Sequence, residues 1–390
     1  MIILDGPYIS DFLFKTLEKN KIPVILNHVV SDLAKGWDLN VISAQTVIQQ
    51  FTHTSTPLLY TNSENSISWI EKNLQHTNLP EKINLFKNKV LFRNLLKYLF
   101  PGYFYKSVSF DNIEVLDVTG FPMPFIIKPA IGFFSLGVYK VETLAEWEET
   151  VHAIKKETGL IKNLYPPEVL HTGHFIVEEC IVGEEFAIDC YFNSEAEPVV
   201  LNIMKHIFSS GKDVNDRVYI TSKEIIENFL APITSFLVEI GKRADLRNFP
   251  AHVEVRIDKN GTVAPIEVNP LRFGGWCSTP DLAFHAFGIN LYEYLFDQKT
   301  PDWPTILLGK DELIYSNIVL NNSTGTEGKN IGSFDYEKLL ANFEKPIELR
   351  KTDFRKFPLF GFLFCETRLK NMKELEHILT SDLREYTSNN

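Results

Sequence analysis

The chain has 390 residues, 44% of them hydrophobic, and 39 Lys plus Arg against 50 Asp plus Glu give a formal net charge of −11. This length and apolar content are sufficient for two or three domains with substantial cores. The acidic balance argues against a general surface for nucleic acid or for an anionic membrane.

We expect a cytoplasmic protein from three features of the sequence. The apolar run at the N-terminus reaches Asp5 after a few residues, which is not the pattern of a signal peptide. No segment approaches the length needed to cross a bilayer. The four cysteines are dispersed and lack CxxC spacing, which predicts a reducing compartment and no zinc site. We therefore expect neither membrane nor nucleic-acid partners.

The first part of the chain has the pattern of an α/β domain. A short apolar strand at Ile2–Asp5 precedes a helical pattern that runs through Leu17, and Ile22–Leu26 predicts a second strand. Helical apolar spacing then extends over Asn84–Phe100 and ends before a Pro-Gly pair. We place the first domain boundary near this helix.

A lysine and a glycine-containing turn follow. Phe125–Lys128 and Gly137–Val141 predict two strands that flank the turn. Backbone amides in such a loop can approach phosphate oxygens, and Lys128 can add a positive charge. Taken alone, the segment is better explained by a structural turn followed by a salt-bridging lysine.

An acidic strand pair comes next. Phe175–Ile181 and Glu185–Phe192 predict strands on either side of a turn at Gly183, with Glu185 and Asp189 on one face. Carboxylates here could accept hydrogen bonds from an exocyclic amine or from ribose hydroxyls. An acidic hairpin that faces solvent is the alternative interpretation.

His252–Asn269 predicts a β-hairpin that brings acidic side chains together. The Asn260-Gly261 pair favours a two-residue turn, which places Glu254 directly opposite Glu267. Asn269 shares their face because side chains alternate along a strand. A four-residue turn would shift the pairing by two residues and leave the facing unchanged.

Two like charges opposite each other destabilise a hairpin, so a cation between Glu254 and Glu267 is the simplest explanation of the pair. Oxygen ligands of this kind suit a hard cation such as Mg²⁺. The alternative is a solvated polar face on which Arg256 is the counterion.

Two further segments complete the pattern. Pro232 interrupts the helical stretch before the hairpin and predicts a pair of helices. From about residue 300 the chain predicts a small α/β region, with strands at Ile347–Asp353 and Pro358–Arg368.

Taken in order, the segments IIKPAIGFFSLGV, VEECIVGEEF and HVEVRI…IEVNPLRFGG resemble the ATP-grasp superfamily of ATP-dependent ligases, over about residues 85–290. The resemblance implies a multidomain α/β and α+β fold in which a pre-ATP-grasp α/β domain precedes a two-subdomain ATP-grasp fold. We accordingly predict a pre-ATP-grasp domain at 1–84 and an ATP-grasp domain at 85–300, with a nucleotide-binding subdomain at about 120–185. A small C-terminal α/β region follows at 301–390.

The resemblance implies ATP as the nucleotide and assigns residues to it. Lys128 would contact phosphate, and Lys89, with Lys87 as its neighbouring alternative, would be the second phosphate-binding lysine. Glu178 would lie near the adenine amino group, and Glu185 would bind ribose. The loop and hinge positions that match the family's nucleotide-binding motifs are Ser135, Gly137, Glu179, Cys180 and Ile181. Glu254, Glu267 and Asn269 match the metal-binding set, for Mg²⁺ or Mn²⁺.

The implied reaction starts with phosphorylation of a small carboxylate by ATP. An amine then attacks the acylphosphate, and ADP and phosphate are released. Two alternatives stay open: a family member that uses a non-amine acceptor, and a nucleotide-binding regulatory or scaffold protein without turnover. The sequence is also compatible with a homodimer.

Three basic residues are candidates for contact with the reacting groups. Arg272 could orient a carboxylate or acylphosphate with two hydrogen bonds. In the family an arginine often follows Asn-Pro directly, whereas here Leu271 intervenes, and an arginine that braces the following Gly-Gly turn is the alternative. Lys205 and Arg217 flank the stretch where the family often has a mobile substrate loop; solvated surface charge is the alternative for both.

Overall fold

The structure is a computed structural model that describes residues 1–132, 137–161, 171–210 and 215–389. Ser135, one of the predicted nucleotide-binding residues, lies outside these ranges. Among the helices of the described residues, none has the length and hydropathy of a membrane span.

The N-terminal part is a parallel sheet with the order β3-β2-β1-β4. Its strands are β1 (Ile2–Ile3), β2 (Val24–Ile25), β3 (Val41–Ile42) and β4 (Tyr60–Thr61), and its helices are α1 (Asp11–Asn20), α2 (His28–Leu33), α3 (Ala44–Phe51) and α4 (Ile67–Asn73). Helix α1 begins where Ser10 accepts a hydrogen bond from the Leu13 amide. The Thr61 amide donates to the Leu271 carbonyl at 2.8 Å, which ties this sheet to the loop after the predicted hairpin.

The helix predicted over Asn84–Phe100 is divided in two, α5 (Leu79–Lys87) and α6 (Lys89–Leu96). Asn88 separates them, because its backbone is extended and its side chain accepts hydrogen bonds from the Val90 and Leu91 amides to cap α6. Lys87 therefore ends one helix, and Lys89 begins the next.

A small antiparallel sheet follows, with the order β5-β8-β6-β7. Its elements are β5 (Tyr105–Ser109), β6 (Phe125–Ile131), β7 (Tyr139–Val141), β8 (His171–Glu179) and helix α7 (Trp147–Ile161). Phe125 pairs with Val141 on one side and Glu179 on the other, so the strand that carries Lys128 lies beside the strand that carries Glu178.

The described part of the large antiparallel sheet has the order β13-β12-β9-β10-β11-β14-β17-β16. Its strands are β9 (Glu184–Phe192), β10 (Pro198–Ile207), β11 (Val218–Ser222), β12 (Phe249–Ile257), β13 (Val263–Pro270), β14 (Leu313–Asn321), β16 (Pro346–Lys351) and β17 (Leu359–Arg368). The C-terminal strands thus continue the sheet that contains the acidic hairpin. The domain limits given above stay a prediction.

Helix α8 (Lys223–Ala244) continues through Pro232, so the prediction of two helices is wrong. The helix buries one face against the large sheet, including Ile226, Ile233 and Leu237. Fully burying each such side chain contributes roughly 1.5–3 kcal/mol, which together exceeds the cost of about 3 kcal/mol for an internal proline.

The remaining elements lie after the hairpin. They are the helices α9 (Ser278–Phe287), α10 (Leu291–Phe296), α11 (Trp303–Ile306), α12 (Tyr336–Leu340) and α13 (Lys373–Thr380), and the strand pair β15 (Ile331–Phe334) and β18 (Thr387–Asn389). Helix α9 contacts β14 and β17 and so covers the C-terminal half of the large sheet.

Candidate active site

The hairpin of β12 and β13 places Glu254 opposite Glu267 and His252 opposite Asn269, so the predicted pairing is confirmed. The predicted two-residue turn is wrong. Residues 258–262 form the turn, closed by a hydrogen bond from the Asp258 amide to the Thr262 carbonyl. This longer turn shifts the pairing by one residue, and a β-bulge at Ile266 shifts it back.

The Glu254 and Glu267 carboxylates lie in unlike electrostatic surroundings. Burial raises the pKa of Glu254 well above its ordinary value, and the negative charges of Glu267 and Glu185 raise it further. Burial also opposes ionisation of Glu267, but Lys89 and nearby lysines outweigh it and lower its pKa. A cation beside the pair would relieve the repulsion that Glu254 experiences.

The donor set fits a hard cation. Asn269 uses its amide nitrogen to donate to Glu267 at 3.2 Å, so its oxygen is not committed to that carboxylate. The described residues contain no cluster of three His, Cys, Asp or Glu side chains suited to a metal. A cation here would therefore use the Asn269 amide oxygen beside the two carboxylates, a combination typical of Mg²⁺ sites.

Asp189 and His252 support the acidic pair from behind. Asp189 is buried, and its Oδ1 lies 2.7 Å from His252 Nδ1 and accepts a hydrogen bond from the Gly274 amide. His252 Nε2 lies 3.7 Å from Glu254 Oε1. The aspartate therefore orients the imidazole so that its other nitrogen faces the acidic pair.

The predicted phosphate-binding lysines lie close to the acidic pair. Lys89 Nζ donates to the Gly132 carbonyl at 3.2 Å and lies 3.5 Å from Glu267 Oε2. Lys128 Nζ is 2.5 Å from Glu178 Oε1. The start of α6 and strand β6 thus direct two buried lysines into the region between the small and the large sheet.

Both oxygens of Glu178 are bound by cations, because Lys128 binds one and Arg93 Nε donates to the other at 2.8 Å. Burial opposes ionisation of this carboxyl, but Lys128 and Arg93 outweigh it and lower its pKa to about 2. Glu178 therefore holds the Lys128 ammonium in place, and its predicted position near an adenine amino group stays a prediction.

A cavity of about 860 Å³ opens at the turn between β8 and β9. It is lined by Phe100, Tyr103, Glu179, Cys180, Ile181, Val182, Gly183, Ile257, Asp258, Lys259 and neighbouring residues. This size is within the range of small-ligand pockets. The predicted hinge residues Glu179, Cys180 and Ile181 therefore form one wall of a cavity that can hold a nucleotide base.

Much of the hinge backbone is already hydrogen-bonded. The Glu179 carbonyl accepts from the Tyr103 hydroxyl at 3.0 Å, and the Cys180 amide donates to the Pro124 carbonyl at 3.3 Å. The Ile181 carbonyl accepts from Arg256 Nη1 at 2.9 Å. These three bonds leave the Ile181 amide uninvolved, so it is the hinge donor best suited to a base.

Glu185 lies where the large sheet meets the hinge. Arg256, the counterion in the solvated-face alternative, donates from Nε and Nη2 to Glu185 Oε2 at 3.1 and 3.0 Å. His206 Nδ1 lies 3.0 Å from Glu185 Oε1. Arg256 therefore links the hinge carbonyl to Glu185, and a ribose contact by Glu185 stays a prediction.

Arg272 binds a residue of the N-terminal part. Its Nε and Nη2 donate to Glu64 Oε1 at 3.1 and 2.9 Å, and Lys87 Nζ is 2.5 Å from Glu64 Oε2. Arg272 Nη1 also donates to the Phe273 carbonyl, just before the Gly-Gly turn. The inserted Leu271 is buried with a left-handed φ of 61°, and Arg272 and Lys87 share the Glu64 carboxylate. Both interpretations of Arg272 stay open.

Lys205 and Arg217 occupy different surroundings. Lys205 forms an ion pair with Glu184. Arg217 is buried and donates to the Ser381 carbonyl at 3.1 Å and to Ser323 Oγ at 2.8 Å, which fixes it to the C-terminal segment. Solvated surface charge is therefore wrong for Arg217. These bonds do not place it with the lysines, and a substrate contact by it is an untested prediction.

Because of Glu64, the free energy of unfolding should depend on pH in the acid range. Burial opposes its ionisation, but Lys87 and Arg272 lower its pKa to about 2 from 4.5. Because the folded-state pKa is the lower one, the stabilisation is complete above about pH 4.5 and is lost as pH falls toward 2. In the Glu64→Gln variant, the free energy of unfolding should decrease less steeply than in the native chain as pH falls from about 4.5 to 3. The two slopes should differ by up to about 1.4 kcal/mol per pH unit. Urea unfolding at each pH measures this difference.

The control for this measurement is Glu195→Gln, which changes an exposed carboxylate outside the cluster. It should reproduce the pH dependence of the native chain. Parallel curves for the native chain and Glu64→Gln would show that the ion pairs of Glu64 do not stabilise the folded state.

Comparison with known proteins identifies the domain that contains these residues. The sequence profile of the ATP-grasp domain matches residues 121–280, which contain Lys128, the hinge and the acidic hairpin. The chain contains an ATP-grasp domain. Comparison with curated proteins gives no significant match.

Solved structures share the fold of almost the whole chain. An L-amino acid ligase from Bacillus licheniformis is 18% identical, with a TM-score of 0.69 over 99% of this chain and 97% of that one. N5-carboxyaminoimidazole ribonucleotide synthetase from Thermotoga maritima is 15% identical, with a TM-score of 0.62 over 99% and 98%. The biotin carboxylase domain of Hydrogenobacter thermophilus 2-oxoglutarate carboxylase, solved with MgADP, is 11% identical, with a TM-score of 0.63 over 100% and 90%. At these identities the likeness concerns the fold.

Sequence reasoning missed two residues of this site, Arg93 and Glu64, and it missed the partner of Asp189. Asp189 could be placed on the face of Glu185 by alternation, but nothing local marks its partner on β12. Arg93 lies one helical turn after Lys89, a spacing that puts two basic side chains on one face of a helix. Glu64 carries no sequence signal, because its partners are distant in the chain.

Proposed function

We propose that the chain is an ADP-forming ATP-grasp ligase that activates a small carboxylate as an acylphosphate and couples it to an amine. The observation that carries the proposal is the approach of Lys89 to Glu267, beside the paired Glu254 and within the same site as Lys128. Phosphate-binding cations next to a cation site are the groups that phosphoryl transfer requires.

The residues have distinct roles in this proposal. Lys89 and Lys128 bind the terminal phosphates of ATP, and the Ile181 amide contacts the base. Arg272 holds the substrate carboxylate or the acylphosphate. Mg²⁺, or Mn²⁺, held by Glu254, Glu267 and Asn269 would neutralise phosphate charge during transfer. The MgADP in the biotin carboxylase domain of the same fold supports this choice of metal.

The chemistry explains why a nucleotide is needed. A carboxylate is a poor acylating agent because oxide would have to leave, whereas phosphate leaves readily from an acylphosphate. The acyl carbon then accepts the amine without a covalent link to the protein. Amino acids are the first substrates to test, since the L-amino acid ligase has the same fold.

Trapping of the acylphosphate by hydroxylamine tests this function. The full chain is incubated with Mg²⁺-ATP, hydroxylamine and pools of amino acids, dipeptides or small carboxylic acids. We expect a hydroxamate, detected by its ferric complex, together with ADP in equal amount. Replacement of hydroxylamine by amine pools should then give an amide, identified by mass spectrometry.

The outcomes separate the three candidate functions. Hydroxamate without amide from any amine pool would favour a non-amine acceptor. ATP binding with neither ADP nor hydroxamate from any pool would contradict the ligase proposal and favour a nucleotide-binding regulatory protein.

A further inference from the structure

A buried arginine, Arg93 on α6, joins the two sheets that surround the candidate active site. Its Nε donates to Glu178 Oε2 on β8 at 2.8 Å. Its Nη1 donates to the Pro265 carbonyl at 2.7 Å, and its Nη2 to the Ile266 carbonyl at 3.4 Å, both on β13. The guanidinium thus binds one acceptor in the small sheet and two in the large sheet.

The two carbonyls belong to the β-bulge of the acidic hairpin. Val255 pairs with Pro265 and Glu254 with Glu267, so Ile266 is the extra residue. Without the bulge, the turn at residues 258–262 would place Glu254 opposite Ile266 and turn Glu267 to the other face of the sheet. A bulge disrupts the hydrogen bonds of its strand pair, and here Arg93 supplies donors to two of its carbonyls.

The third acceptor of Arg93, Glu178, also binds the phosphate-binding lysine, Lys128. Glu178 binds Arg93 with one oxygen and Lys128 with the other, and all three side chains are less than one-tenth exposed. The planar guanidinium fixes its acceptors in direction as well as distance. Arg93 therefore contacts both Glu178, which binds Lys128, and the bulge that sets the position of Glu267.

We propose that Arg93 is a positioning residue that holds the metal-binding pair and the phosphate-binding Lys128 in register with each other. This inference rests on the proposed function for the identity of the metal and nucleotide. In this proposal Arg93 contacts neither the metal nor the nucleotide. The residue acts through the bulge at Ile266 on one side and through Glu178 on the other.

Binding measurements test the proposal without any substrate. Mn²⁺ affinity is measured by electron paramagnetic resonance in the presence of a non-hydrolysable ATP analogue. ATP affinity is measured calorimetrically in EDTA. In Arg93→Lys, a single ammonium cannot serve all three acceptors, so we expect Mn²⁺ affinity to fall about 10- to 100-fold and ATP affinity about tenfold. Arg93→Gln, which keeps donors but not the charge, should lower both and serves as the second variant.

Arg350→Lys is the matched control. Arg350 is as buried as Arg93 and binds Asp281 and Glu348, away from the hairpin bulge. It should lower the thermal unfolding midpoint comparably and leave both affinities unchanged. The proposal is overturned if the Arg93 variants keep native Mn²⁺ affinity, if Arg350→Lys loses it equally, or if the native chain binds no Mn²⁺.

These outcomes are independent of the ligase test. A chain that binds ATP analogue and Mn²⁺ in an Arg93-dependent manner but forms no hydroxamate would retain this inference and contradict the proposed function. Hydroxamate formation with Arg93-independent Mn²⁺ affinity would do the reverse.

Discussion

Glu267→Gln should lower the rate of substrate-dependent ADP formation on the order of 10²- to 10³-fold, as removal of one preorganised electrostatic contact does in other enzymes. Glu267 faces Glu254, accepts a hydrogen bond from Asn269 and lies 3.5 Å from Lys89. The amide keeps the shape of the side chain and removes the charge that a cation and Lys89 both require. ADP formation in the presence of the identified carboxylate measures the effect.

Glu366→Gln is the control for this substitution. Glu366 lies on β17 of the same sheet and binds Lys345 at 2.8 Å, with no contact to the acidic pair. Its substitution should leave the rate unchanged. If Glu267→Gln retained more than about a tenth of the native rate, Glu267 would not hold the metal during phosphoryl transfer.

The acidic hairpin shows which features of the site were predictable from sequence. Alternation along two strands placed Glu254, Glu267 and Asn269 on one face, and the structure confirms it. The turn was predicted wrongly, because Asp258 accepts hydrogen bonds from the Asn260 and Thr262 amides and favours a longer loop. Glu254 and Glu267 still face each other because the bulge at Ile266 offsets the shift that the longer turn causes.

Helices were less predictable than strands, for two opposite reasons. At Asn88 a local capping bond overrides an apolar pattern that continues through it, and one predicted helix becomes two. At Pro232 a local break is overridden by burial against the large sheet, and two predicted helices become one. Local sequence contains both signals; the local cap prevails at Asn88, whereas tertiary packing prevails at Pro232.

The residues that hold the site's side chains in place were not predictable, since they act through contacts between segments that are distant in the chain. Arg93 binds residues 85 and 172 positions away, and Glu64 binds Arg272 across 208 positions. Such pairs follow no period in the sequence. Motifs therefore predict candidate ligand-binding side chains, whereas the residues that hold those side chains become visible only in the fold.

Lys128→Met should lower kcat/KM for ATP on the order of 10²- to 10³-fold, with contributions from a higher KM and a lower kcat. Lys128 is buried on β6 with its ammonium 2.5 Å from Glu178. Methionine fills a similar volume without the charge that would face phosphate in the ground state and in the transition state. Steady-state kinetics at saturating carboxylate measure the effect, and Lys140→Met on the neighbouring β7, where the lysine is exposed, should leave both constants unchanged.

A double variant separates this role from stability. Lys128→Met leaves Glu178 with Arg93 as its remaining cation partner among the described residues, and an incompletely paired buried charge destabilises the fold. Combination with Glu178→Gln removes that charge while the amide oxygen can still accept from Arg93, so the thermal unfolding midpoint should recover. Activity should not recover, because the phosphate still lacks its lysine. If kcat/KM returned together with stability, Lys128 would be a structural ion-pair partner, which is the alternative that the sequence left open.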